Sequence, residues 1–305
     1  MRAHARLDPR RPAIIEASLN GGTPKSANPH VPRTPGEITI DALSCIDAGA
    51  SMIHTHTDDP VGGGSGIHDP APYLEAWRPI LDARPGTLLF PTAPVGQPVP
   101  VEDRFSHSVA LAEAGVLAQA PVDPGSTNIG RRAADGLPPD SDRVYSTNFR
   151  DARWMIERCR ELRIGISVSI FEPGFLRFIL AYHHAGRLPP GVMIKLYFGA
   201  DPLLFGLPPT TASLEAYLQL LDGTGLPWLV SAFGADVVEC GLAEAALERG
   251  GHVQVGLEPF GGDRQPTNLE LVQEAAALAQ RVGRTVASGA EAAAILRLPQ
   301  RETSE

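Results

Sequence analysis

Eight short apolar, β-branched runs punctuate this chain, at residues 13–18, 52–57, 88–92, 116–122, 165–171, 192–198, 228–233 and 252–258, and longer amphipathic stretches separate them. Strand followed by helix, again and again, requires parallel strands joined by crossover connections. Eight such units in fewer than 305 residues close naturally into an α/β fold of the (β/α)8 TIM-barrel kind, in a single domain. An open doubly wound sheet is the alternative. It calls for a G-x-G-x-x-G turn after the first strand, and Asn20-Gly21-Gly22-Thr23 stands there instead. The barrel is expected over residues 13–299, with an N-terminal tail at 1–12 and a C-terminal tail at 300–305.

The connecting segments carry helix signals of their own. Thr34-Pro35-Gly36-Glu37 is a capping box with proline in the first turn, and Ile38, Ala42, Leu43, Ile46 and Ala50 follow at core-facing spacing. Further helices are expected at 70–83, 101–114, 148–162, 214–222, 237–249 and 268–282, and His183-His184 fall in another. Gly115, Gly165, Gly186, Gly225 and Gly250 read as left-handed helix ends. The loop 128–147, about twenty residues long, is of a length that usually carries function.

Composition removes whole classes of function. With 43% hydrophobic and 20% charged residues the chain is no disordered segment, and no apolar run reaches the roughly 18 residues of a membrane-spanning helix. The arginine-rich start lacks the apolar run of a secretory signal. A net charge of −9 without any basic stripe argues against nucleic acid as a partner. Cys45, Cys159 and Cys240 form no CxxC pair and read as buried thiols of a protein in a reducing cytoplasm.

In a barrel of this type, chemistry gathers where strands run out into their following loops. The second strand runs out in His54-Thr55-His56, two imidazoles on one strand face, a common way to hold Zn²⁺ or a similar divalent ion. The eighth runs out in Glu258. Barrel closure sets strand eight beside strand one, with strand two next, so Glu258 can reach the histidines across the mouth. Two imidazoles and a carboxylate leave coordination positions open, as catalysis needs. Other polar groups at strand ends are Asn20, Thr92, and Ser126 and Asn128 in the turn Gly125-Ser126-Thr127-Asn128. Glu172 closes the apolar run of strand five, where an ionised carboxylate needs a metal, a cation or substrate as partner. Lys195, one of two lysines, lies inside strand six and is open to two readings, a salt-bridged lysine or a Schiff-base nucleophile.

These same residues resemble a known family, the β-keto acid cleavage enzymes. The likeness starts in Asn28-Pro29-His30-Val31-Pro32-Arg33-Thr34-Pro35-Gly36-Glu37-Ile38 and continues through Asp47-Ala48-Gly49-Ala50-Ser51-Met52-Ile53-His54-Thr55-His56 to Asp59-Pro60. It resumes at Gly125-Ser126-Thr127-Asn128, at Gly250-Gly251-His252-Val253-Gln254-Val255-Gly256-Leu257-Glu258, and at 268–272 and 283–288. The resemblance implies a metal-dependent barrel in which His54, His56 and Glu258 bind Zn²⁺ or a similar ion. It implies an acyltransferase that cleaves a C–C bond: a β-keto acid and acetyl-CoA give acetoacetate and an acyl-CoA. Asn20, Thr92, Ser126 and Asn128 would then bind substrate, and Glu172 and Gln254 are the candidate catalytic side chains. By analogy the chain would be a homo-oligomer, a tetramer.

The chain departs from the family pattern at Gln254, where the pattern has Arg, and at Pro259, where it has Asp. Asp58 replaces an Arg after the histidine pair, and Pro121 replaces a Ser or Thr before the Gly-Ser turn. The Arg–Asp pair helps activate substrate in the family, and Gln is neutral. The alternative is therefore the same metal barrel with changed chemistry, a hydrolase or lyase, or a keto-acid binder without turnover. A metallohydrolase of the amidohydrolase kind needs H-x-H on its first strand and later Lys, His and Asp ligands, which this chain does not supply.

Overall fold

The strands are buried on both faces, which requires a layer of helices around them. The computed structural model describes residues 8, 10–57, 67–93, 99–142 and 144–299. Asp58, Asp59-Pro60, the glycine run 62–66, the tail 300–305 and most of 1–12 lie outside the described residues.

The strands are β1 (Ile15–Ser18), β2 (Met52–Thr55), β3 (Leu88–Pro91), β4 (Gln119–Val122), β5 (Gly165–Ile170), β6 (Val192–Gly199), β7 (Trp228–Phe233) and β8 (His252–Val255). The helices are α1 (Pro35–Asp47), α2 (Ala71–Ala83), α3 (Val101–Arg104), α4 (Ser106–Glu113), α5 (Phe149–Glu161), α6 (Pro173–His184), α7 (Thr211–Leu221), α8 (Leu242–Glu248), α9 (Asn268–Arg281) and α10 (Gly289–Leu296). All eight strands are parallel, in the order β3-β2-β1-β8-β7-β6-β5-β4. Between the two ends of that order one backbone bond, from Ala118 N–H to the Leu89 carbonyl at 3.1 Å, spans β3 and the entry to β4. The result is the expected TIM-type barrel, nearly closed, in a single domain.

Local chemistry accounts for the helix starts. Thr34 and Glu37 close the capping box, the Thr34 hydroxyl accepting from Glu37 N–H at 3.2 Å and the Glu37 carboxylate from Thr34 N–H at 3.1 Å. Thr267/Glu270 and Ser288/Glu291 repeat the device on α9 and α10, each cap worth about 1 kcal/mol. α1 then buries Ile38, Ala42 and Cys45.

Four expectations are corrected. The helix expected at 101–114 is split at Phe105, whose buried ring stands edge-on to Trp154. The one expected at 237–249 begins only at Leu242, because Asp236 Oδ1 holds the N–H groups of Val238 and Glu239 in a turn and Gly241 is left-handed. Gly115, Gly186, Gly225 and Gly250 do have positive φ, but after α5 that conformation falls on Arg163. Gly165 instead opens β5, where a Cβ would lie 2.4 Å from the Gly191 carbonyl oxygen. Cys45 and Cys159 are buried, whereas Cys240 is exposed on the turn before α8. No described helix is long and apolar enough to cross a membrane.

Candidate metal centre

Parallel registry brings the mouth residues together. Ser18 pairs with His54 across β1–β2, and Glu16 pairs with Gln254 across β1–β8. Inward-facing positions at the ends of β2 and β8 therefore meet above β1. His54 Nε2 and His56 Nε2 are 3.1 Å apart, His54 Nε2 is 3.2 Å from Glu258 Oε2, and His56 Nε2 is 3.3 Å from Glu258 Oε1. Both imidazoles are buried, and Glu258 is nearly so.

Backbone geometry makes room for this triangle. Gly21 turns at φ +50°, and a Cβ there would lie 2.3 Å from Glu258 Cγ. Gly256 lets the end of β8 approach β1, where a Cβ would meet the Ser18 carbonyl oxygen at 2.2 Å. Asn20 uses all four of its polar sites on backbone. Its Oδ1 accepts from Gly21 N–H (3.0 Å) and His56 N–H (2.8 Å), and its Nδ2 donates to the carbonyls of Pro32 and His56, both at 3.1 Å. Asn268 does the same service for Glu258: its Oδ1 accepts from Leu257 N–H at 2.8 Å and its Nδ2 donates to the Leu19 carbonyl at 2.8 Å.

The electrostatics fit a cation. Burial drives the His54 pKa down to about 3, only partly opposed by Glu258, so His54 is the neutral imidazole that metals bind. Burial would raise Glu258, but His54, His56 and Lys195 outweigh it and hold the carboxyl at about 2, ionised. Glu258 Oε2 accepts no hydrogen bond. Lone-pair donors thus converge at 3.1–3.3 Å, with Glu258 Oε2 left unpartnered among them. That is the spacing of three ligands each about 2.1 Å from one ion. Among the described residues, His54, His56 and Glu258 form the one group of this kind.

The triangle opens into a cavity of about 770 Å³. Its polar wall includes Thr92, Asp123, Ser169 and Lys195, and its apolar wall is rich in rings: Phe90, Tyr145, Phe171, Tyr197, Phe205 and Phe233. Of the four residues expected to bind substrate, Thr92 lines it and Asn20, bound to backbone, does not. Ser126 does not; its hydroxyl exchanges hydrogen bonds with the Thr147 backbone, donating at 3.2 Å and accepting at 3.0 Å. Asn128 is exposed outside it. Glu172 Oε1 accepts from the Thr127 hydroxyl and from Gly206 N–H, both at 3.0 Å, clamping the loops after β4 and β6. Gln254 lies beneath the cavity, donating to the Ser18 hydroxyl.

Sequence reasoning passed over Glu16, Asp123 and Asn268. The Tyr145 hydroxyl, carried back on the loop 128–147, donates to Asp123 Oδ2. Asp123 directly follows β4, so its strand-end position was a readable signal; Glu16 and Asn268 gave none. Lys195 proves to be ion-paired, its Nζ 3.1 Å from Glu16 Oε1 with both side chains buried.

Fold and geometry together define a parallel (β/α)8 barrel with a His–His–carboxylate group that could hold a metal ion at the C-terminal ends of its strands. The chain belongs to the β-keto acid cleavage enzyme family, whose profile matches residues 12–298. It is 26% identical to the 3-dehydrocarnitine:acetyl-CoA trimethylamine transferase of Rhizobium meliloti, over 97% of this chain and 99% of that one. It is 27% identical to the 3-oxoadipate:acetyl-CoA acetyltransferase of Cupriavidus necator (96% and 97%). Identity to the 3-keto-5-aminohexanoate cleavage enzyme of Fusobacterium nucleatum is 25% (93% and 97%). Among solved structures, apo ObcA superposes with a TM-score of 0.68 at 15% identity, covering 88% of this chain and 66% of ObcA. That likeness is one of fold.

Proposed function

We propose that this chain is a metal-dependent acyltransferase that cleaves a β-keto acid with acetyl-CoA. The β-keto acid R–CO–CH2–COO⁻ loses its C2–C3 bond, its two-carbon carboxylate fragment takes the acetyl group to become acetoacetate, and the R–CO group leaves on CoA. The observation that carries the proposal is the triangle of His54, His56 and Glu258 donors opening into the cavity. Support comes from the family profile and from relatives whose names specify acetyl-CoA and keto acids.

His54, His56 and Glu258 would hold the ion, for which Zn²⁺ suits two imidazoles and a carboxylate. Bound there, a divalent cation supplies Lewis acidity toward the keto oxygen and carboxylate of the substrate. Thr92, from the end of β3, offers a hydroxyl to orient substrate. Asn20 and Asn268 keep the ligand set in place, Ser126 and Glu172 brace the loops over the mouth, and Asn128 lies beside them. The rings on the apolar part of the wall lower the local dielectric and so strengthen charge interactions beside them. The setting proposed is a cytoplasmic homo-oligomer acting on small molecules.

The test is product formation. Metal-loaded protein incubated with acetyl-CoA and a panel of β-keto acids should release acetoacetate from at least one; silence across the panel after loading with Zn²⁺, Mn²⁺, Co²⁺ and Ni²⁺ would overturn the proposal. Gln254, bound to Ser18 rather than lining the cavity, favours a second reading: changed chemistry, or a keto-acid binder without turnover. That reading predicts tight metal content and stabilisation by keto acids with no acetoacetate.

A further inference from the structure

Beneath the cavity lies a carboxylate that needs a cation. Glu16, on β1, is fully buried, and an unpartnered ionised carboxylate there would be prohibitively costly. Its register partner on β8 is Gln254, which is neutral; the amide donates to Ser18 and its Oε1 has no partner. The positive charge comes instead from the far side of the barrel. Lys195 of β6 reaches across to place Nζ 3.1 Å from Glu16 Oε1, 4.6 Å from the centre of the Phe90 ring and 5.3 Å from that of Tyr197.

This cation belongs to the reaction space. Lys195 lines the same cavity as His54, His56, Thr92 and Glu258. The Phe90 ring under its ammonium also stacks on the His54 imidazole at 4.7 Å, so one ring separates the cation from a candidate metal ligand. An ammonium has three N–H donors. Glu16 engages one of them, which leaves N–H donors for a guest in the cavity. A buried ion pair gives little net stability over an apolar pair of equal volume. What this one provides is a fixed positive charge on the wall of the cavity, oriented in advance toward an anionic guest.

We propose that Lys195 binds the substrate's anionic oxygen, carboxylate or enolate, supplying from β6 the positive charge that the neutral Gln254 on β8 does not. The inference rests on the keto-acid reading above. It gives the neutral Gln254 a physical consequence: the cation beside Glu16 comes from β6 and not from β8. A lysine offers a compact point charge where arginine offers a planar fork, so the anion is attracted without being held in a bidentate orientation.

The test separates a substrate contact from a merely structural ion pair. In Lys195→Met/Glu16→Gln both charges go together, so the fold should persist; circular dichroism, melting temperature and metal content check this. The proposal expects kcat/KM to fall on the order of 100-fold, mainly through kcat, the usual effect of losing one donor to a developing oxyanion. It expects the Kd of metal-loaded protein for acetoacetate, measured by calorimetry, to rise about tenfold. In Lys195→Met/Gln254→Arg, an arginine beside Glu16 should recover most of both losses. A folded, metal-replete Lys195→Met/Glu16→Gln protein that keeps wild-type kcat/KM and acetoacetate affinity would overturn the proposal. So would a borohydride-trapped keto-acid adduct on Lys195, since an imine requires a neutral amine. If no keto acid is turned over, the keto-acid reading fails, yet the acetoacetate arm still decides the role of Lys195.

Discussion

The two ends of the barrel bury polar side chains in different ways. At the bottom, where strands enter, they meet backbone. His252 Nδ1 accepts from Ile14 N–H at 2.9 Å, and Gln119 Nε2 donates to the carbonyls of Ile166 and Gly191, with its Oε1 the exception that finds no partner. Arg284 donates to the carbonyls of Arg11, Pro12, Leu247 and Gly251, tying the chain before β1 to α8 and to the entry of β8. At the mouth, His54, His56 and Glu258 point donor atoms at one another, and the carboxylate leaves Oε2 without a hydrogen bond. A buried polar group that is satisfied internally holds the fold together. A set that is satisfied only by something added is a site.

The sharpest way to break this contrast is to remove one group at each end. His56→Ala should abolish stoichiometric metal binding and cut acyl transfer on the order of 1,000-fold, while the urea midpoint of metal-free protein barely moves. Arg284→Leu should do the reverse. It should cost about 3 kcal/mol of stability, from lost charged hydrogen bonds and stranded carbonyls, with metal affinity and kcat unchanged; urea unfolding and metal titration give both numbers. A smaller effect belongs to the groups that aim ligands. Asn20→Ala should weaken metal binding about 10- to 100-fold by freeing the His56 backbone, read by competition with a chromogenic chelator.

The smallest effect appears with pH. Burial depresses His252 and His107 as it does His54, each from 6.5 to about 3. Below 6.5 the unfolded chain takes up protons that the folded chain refuses, so these groups' contribution is complete above that pH and is lost as pH falls toward 3. Between pH 7 and 6 each should cost under about 1 kcal/mol. His252→Gln, which still accepts from Ile14 N–H, should flatten that slope in urea titrations of metal-free protein.

The sequence disclosed most of the barrel, because strand–helix alternation and capping boxes are local. It also disclosed the candidate metal-holding group, since i, i+2 spacing on β2 and closure of the barrel suffice to bring Glu258 to His54 and His56. What stayed hidden depends on distance in the chain. Glu16 and Lys195 stand 179 residues apart, and only the width of the closed barrel decides that one lysine spans it. Asn268 reads as the first residue of a helix and carries no sign that it fastens Leu19 and Leu257. Ser126 and Asn128 looked like site residues on their turn, yet the turn points the first at Thr147 and the second outward, an orientation set by the Thr127–Tyr145 backbone pair. α10 went unread because its Ala-rich stripe follows no strand.

Metal analysis by inductively coupled plasma mass spectrometry, paired with an acetoacetate assay on the same samples, addresses the cation site directly. Wild-type protein should carry one divalent ion per chain, with Glu258→Ala and His54→Ala both empty and inactive. A chelated wild-type protein that still forms acetoacetate at full rate, or a Glu258→Ala protein that keeps its full complement of metal, would contradict the account.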